Sequence, residues 1–154
     1  MYTVRFRRVA ITTALGDHDF FEFTPADDRP IELAALLLSF SSELGEAQEE
    51  WIDWGVVRGN ATTGNGTATT PAAVDPRDLA VGFTAKTVST TPASAGTAVE
   101  MVSDNFNVRS GLQIWLPEGY RPRVDQADTM MCVRMFTAVA DDVVCSGTAW
   151  VKEC

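Results

Sequence analysis

A single histidine, three cysteines and one dense group of glutamates are the residues of this chain with chemistry beyond folding. His18 lies in "GDHDF", between Asp17 and Asp19. An imidazole-assisted nucleophile or a histidine-based metal site would have to use it, since no second histidine is available. A glycine-led turn flanked by carboxylates reads more simply as a polar turn position. The glutamates Glu43, Glu46, Glu49 and Glu50 fall in "SSELGEAQEEW", with Asp53 close behind. Calcium loops space Asp or Asn ligands around a glycine at the sharp turn, and "ELGEAQEE" does not follow that spacing. A glycosidase pair needs two carboxyls facing each other across a cleft, which neighbours on one loop do not supply. The cluster therefore reads as a solvated or subunit-facing edge, for which an arginine from another chain is the natural mate.

The thiols are Cys132, Cys145 and Cys154, and no C-x-x-C pair exists for zinc or redox exchange. Cys132 stands between Met131 and Val133 and reads as a small buried hydrophobe. Cys154 is the last residue, and chain ends are exposed. It is the candidate for a disulfide between subunits, with a free thiol as the alternative. No H-E-x-x-H, G-x-S-x-G, Walker loop or G-x-G-x-x-G occurs. The expectation is a protein that is not an enzyme and uses no metal or cofactor.

The elements that must carry these residues read as strands. "YTVRFRRVAIT" has Val4 and Phe6 on one parity and Val9 and Ile11 on the other, which predicts a bulge near Arg7 and Arg8. This alternation of apolar residues with arginine reads as a first strand and not as a signal peptide. "DFFEFTP" is a short aromatic strand, while "TMMCVRMFTAV" and "VVCSGTAWVKEC" are consecutive strands across the spacer "ADD". Residues 59–78 and 89–98 are rich in Thr, Ala, Gly and Pro and read as long exposed loops. Asn60 and Asn65 match a glycosylation sequon but read as turn residues. "PADDRP" and "PEGYRP" share the pattern P-x-x-x-R-P and read as proline-stiffened corners.

Residues 31–54 allow two parses. Leu33, Leu36, Leu37, Phe40, Leu44, Ala47, Trp51 and Trp54 fall at helical spacing. Ser41, Ser42 and Gly45 oppose a helix there, and the other parse is a strand over 30–40, an acidic loop over 41–50 and a strand over 51–58.

Composition bounds the function. The 154 residues form one expected domain, 1–154, with enough apolar side chains for a real core. A net charge of −9 repels phosphate backbones and anionic lipid, so neither nucleic acid nor membrane is an expected partner. Ten arginines accompany only Lys86 and Lys152, which suits subunit interfaces but also follows from a coding bias. Trp51, Trp54, Trp115 and Trp150, like Met130, Met131 and Met135, read as core or interface residues, with a sugar-binding platform as the alternative for the tryptophans.

The succession "FFEFTPADDRPIEL", "SSELGEAQEEW", "VVRGNATTGNGTATTP", "DPRDLAVGFTAKT", "SDNFNVRSGL", "RPRVDQADTMMCVRM" and "SGTAWV" resembles a family of small tailed-phage structural proteins. These are β-sandwich or jelly-roll capsid decoration (cement) proteins, and the resemblance spans nearly the whole chain. It implies the strand parse for residues 31–54 and a place on the capsid surface of a bacteriophage virion, after synthesis in the host cytoplasm. The cysteines, Cys154 above all, depart from the family pattern, so cross-linking does not carry over.

The sequence thus predicts an all-β, jelly-roll-like sandwich of about eight strands with long Thr/Ala/Gly-rich loops. Its expected role is to bind the major capsid protein across capsomers as a homotrimer. Glu43, Glu46, Glu49, Glu50, Arg121 and Arg123 are the expected contacts, and Cys154 the expected intersubunit thiol. The alternative is a carbohydrate- or host-surface-binding module of a head fibre or tail appendage.

Overall fold

The computed structural model describes residues 1–41, 50–125 and 129–154. Among them are twelve strands and no helix: β1 (Tyr2–Ile11), β2 (His18–Thr24), β3 (Ile31–Ser41), β4 (Trp51–Asn60), β5 (Thr67–Thr69), β6 (Ala72–Ala73), β7 (Thr84–Ser89), β8 (Val99–Asn107), β9 (Leu112–Trp115), β10 (Arg123–Val124), β11 (Met130–Met135) and β12 (Val143–Glu153). Eight of these run to six residues or more. The protein is an all-β sandwich. Its first sheet has the order β10-β3-β12-β1-β6, with β9 also on β3, and its second has the order β5-β7-β2-β11-β4-β8. Every pairing is antiparallel.

Residues 31–54 adopt the strand parse over their described part, and a bulge explains why they also read as a helix. Leu33 pairs with Val151 and Ala35 with Trp150, which leaves Ala34 as an extra residue in β3. The extra residue flips the parity, so Leu33 and Leu36, three apart, both face the core. A bulged strand thereby imitates helical spacing. β1 has its own bulge between Phe6 and Val9, where Arg8 takes a positive φ of 52°. Ile52, Trp54 and Val56 share the buried face of β4.

The core is a run of touching aromatic rings. Phe6 packs on Phe20 and Phe21, Phe20 on Phe40, Phe21 on Phe23, Phe23 on Phe83, and Phe40 on Phe106. Each fully buried ring is worth about 1.5–3 kcal/mol of transfer free energy. Gly147 makes room for this: a Cβ there would lie 2.6 Å from the Phe6 ring and 2.9 Å from Leu38 Cδ2.

The Thr/Ala/Gly stretches are less free than their composition suggests. Residues 59–78 contain the exposed strands β5 and β6, and their first part folds back onto the second sheet. Glu22, buried on that sheet, accepts from Gly64 N–H at 2.8 Å and Thr63 Oγ1 at 2.5 Å, while Lys86 Nζ donates to Gly64 O at 2.8 Å. Residues 89–98 are held by a buried fork. Asp19 accepts from Arg134 Nε at 2.6 Å, from an Arg134 terminal nitrogen at 3.1 Å and from Ala93 N–H at 2.7 Å, and that same nitrogen donates to Ala93 O at 2.7 Å. The two stretches meet where Gly59 and Gly96, both at positive φ, lie against the backbone of Thr97 and of Gly59, respectively. Asn65 joins them by bonds to Thr90 and Thr91, and Asn60 is buried at the end of β4 with its amide toward Cys132.

Both P-x-x-x-R-P segments are turns. Residues 25–30 carry the chain from the second sheet to the first, with Arg29 N–H bonded to Ala26 O. Residues 117–122 interrupt a single edge, since β9 and β10 both pair with β3 on either side of the excursion.

Candidate functional site

The excursion leaves the edge of the first sheet where β3 bulges. Leu116 N–H bonds to Ala34 O at 2.9 Å, and Leu33 N–H bonds to Pro122 O at 3.0 Å. On the outer face at this level, Thr3, Trp150, Ala35 and Trp115 form one rung across four strands. Alanine between two indoles lets them meet above it. The rings of Trp115 and Trp150 lie 5.4 Å apart at 39°, and Trp115 is 61% exposed. Met1, Ala34, Leu116, Pro117 and Arg121 complete a groove of about 360 Å³.

The next rungs of the same face are mainly polar around Leu37. Arg5, Thr148, Leu37 and Gln113 follow in register. With Arg7, Ser39, Ser110 and Ser146 they line a broader groove of about 800 Å³. The outer face of the first sheet thus combines an aromatic platform, a strip of hydroxyl and amide groups, and guanidinium groups. Its chemistry suits adhesion, because exposed aromatics supply contact area at low conformational cost and arginines suit desolvated contacts.

The expected contact residues divide by location. Glu43, Glu46 and Glu49 lie outside the described residues. Glu50 is partly exposed and bonds within the chain: its carboxylate accepts from Ala140 N–H, and its carbonyl accepts from Val108 N–H at 3.0 Å. Arg121 and Arg123 converge on Glu32, each with a guanidinium nitrogen 3.8 Å from a carboxylate oxygen. Arg121 Nε also holds Leu116 O at 3.0 Å, so the same residue shapes the groove. Glu50 and this pair sit at opposite ends of β3, whose eleven residues span about 36 Å. Within one chain the structure does not bring them together.

Cys154 lies beside the arginine pair, exposed, with its N–H bonded to Pro30 O at 2.9 Å. Partial burial and the Glu32 carboxylate push its thiol pKa up, while Arg123 and Lys152 pull it down. All three cysteines are free thiols within the chain. Cys145 belongs to the main core and Cys132 to a small cluster with Met130 and Ala93, so they do not meet. Burial pushes Cys145 up to about 12 and pushes Cys132 up as well.

One reading from the sequence is corrected. His18 is no surface turn residue: it opens β2, is fully buried against Phe20, and donates from Nδ1 to Gly16 O at 3.3 Å. Burial pushes its pKa below 6.5, against the opposing pull of Gly16, Asp19 and Asp17. The tryptophans, expected in core or interface, divide: Trp54 is buried in the core, Trp51 and Trp115 are exposed, and Trp150 is partly so. Met130, Met131 and Met135 are buried as expected.

The aromatic groove escaped the sequence reading because its two indoles are 35 residues apart. A signal existed in the parity. Trp115 shares its face with Gln113, and Trp150 shares its face with Thr148 and Lys152, which marks both as outward-facing. Compared with family models, curated proteins and solved structures, the chain matches none.

Proposed function

We propose that this protein is a virion structural component, a capsid decoration or cement protein that binds the major capsid protein across capsomers as a homotrimer. The observation that supports it best is the outer face of the first sheet, where Trp115, Trp150 and Arg121 form an adhesive groove on the same face as a second groove lined by Arg5 and Arg7. Adhesion of that kind stabilises an assembled shell by mass action and transforms no substrate. Repetition over a symmetric lattice multiplies each weak contact. Cys154 stands exposed at the same end of the sheet, and in an oxidising exterior it would join subunits covalently. The reading assigns no catalytic step, cofactor, nucleic acid or membrane.

The deciding experiment titrates purified protein onto phage shells that lack it, followed by co-sedimentation. Saturation at a fixed ratio to shell subunits is expected, and Trp115→Ala weakens binding at least about tenfold, as loss of a central aromatic anchor does. Absence of saturable binding removes the reading.

The indole pair, with Trp115 exposed and Trp150 partly so, also favours a second reading, a carbohydrate-recognising module of a head fibre or tail appendage. Stacking of a sugar ring on Trp115, followed by hydrogen bonds to Gln113 and Thr148, would use the same face. Quenching or enhancement of Trp115 fluorescence by host-surface polysaccharide, lost in Trp115→Ala, separates the two.

A further inference from the structure

Each sheet has a strand edge left open among the described residues, and the exposed charges on the two edge strands themselves differ in sign. β4 covers one side of β8, and among the described residues no strand pairs with the other. The β8 sequence VEMVSDNFN has no proline and no cation, and its Glu100 and Asp104 are exposed. On the neighbouring β4, Asp53, opposite Asn105, and Arg58, opposite Val99 at the far end, are both exposed. In the other sheet, β6 covers the outer side of β1 only at Tyr2 and Thr3. Beyond Thr3 no strand of the described residues pairs with that side, and Arg5, Arg7 and Arg8 are exposed there. The two edges belong to opposite flanks: β1 packs across to β7, whereas Phe106 of β8 packs on Phe40 of β3.

We propose that the β8 edge of one copy pairs with the β1 edge of a second copy, in a head-to-tail contact that closes into a ring. An open strand edge presents unpaired N–H and C=O groups that another strand can satisfy. Charge then selects which strand. Pairing β8 with β8 would gather carboxylates, pairing β1 with β1 would gather guanidinium groups, and like charges opposed across strands are destabilising. Pairing β8 with β1 sets opposite charges against each other and leaves neither edge open. Because the edges occupy different flanks, the contact is heterologous, and such contacts make rings or filaments. The bulge at Arg7 and Arg8 keeps the edge from being long and flat, which opposes an unlimited ribbon.

The contact needs no shell, so its test is separable from that of shell binding. Sedimentation of the purified protein alone, from micromolar to millimolar concentration and at low salt, is expected to show one closed oligomer. Glu100→Arg with Asp104→Arg should raise the dissociation constant at least tenfold, and so should Arg5→Glu with Arg7→Glu. A chain carrying all four changes should assemble again, since its edges are complementary with the signs exchanged. Circular dichroism checks that each variant is folded, and Ser103→Pro, which removes an edge N–H, provides a charge-independent lesion. A monomer at every concentration overturns the proposal, as does a dimer indifferent to Arg5 and Arg7, or a folded four-change variant that stays monomeric.

Discussion

Replacing Arg134 with methionine tests whether the fork under residues 89–98 is a structural anchor. Asp19 is fully buried and accepts from both Arg134 and Ala93 N–H, so the substitution leaves a buried carboxylate with only one described hydrogen bond. Breaking a buried ion pair from one side costs about 3–5 kcal/mol. For a domain of this size each kcal/mol corresponds to about 2–4 °C, so the midpoint should fall by about 6–20 °C. Asp19→Asn should cost less, because Arg134 keeps its bond to Ala93 O at 2.7 Å and its side chain is 13% exposed. The double variant should lose less than the sum, with a coupling of about 1–3 kcal/mol. Urea unfolding supplies the energies, and amide exchange at Ala93 reports the loop itself. A cost below about 1 kcal/mol for Arg134→Met, or additive singles, would refute the reasoning.

His18 gives the pH prediction. Its pKa is lowered in the folded state, so the unfolded chain takes up a proton first as pH falls, and stability declines once pH drops below about 6.5. His18→Gln should flatten that limb by up to about 1.4 kcal/mol per pH unit, seen in urea midpoints across pH 5 to 8. Gly147→Ala drives a methyl into the Phe6 ring and should cost about 1–3 kcal/mol by thermal unfolding. A thiol reagent near pH 8 should modify Cys154 in the native protein and reach Cys132 and Cys145 only after denaturant, counted by mass spectrometry. Non-reducing gels of oxidised oligomer should show a covalent dimer that disappears in Cys154→Ser; monomer alone removes the cross-link.

Strand positions were largely legible because side chains alternate: β2, β11 and β12 fall where aromatic and β-branched runs place them. The bulge in β1 was legible too, since it leaves a change of parity in the letters themselves. The bulge in β3 did the reverse, converting a two-residue period into a three-residue step that local propensity reads as helix. Loop composition misled for a different reason: Glu22 and Asp19 hold the Thr-rich stretches down from 42 and 74 residues away, and no local window contains both partners. The burial of His18 is likewise illegible in a local window, because it comes from packing within the finished sandwich. The acidic cluster drew attention by density, yet Glu50 is occupied within its own chain, and the groove was built from tryptophans that only strand register brings together.

β1 and β12 are neighbours, and Tyr2 stands opposite Val151, so both chain ends emerge at one pole of the sandwich. Met1 and Trp150 are also walls of the aromatic groove. Any affinity tag or fluorescent fusion placed before Met1 or after Cys154 would therefore shadow that surface and mimic a binding defect. The opposite pole, where Asp142 accepts from Thr13 N–H, is the place to attach a reporter.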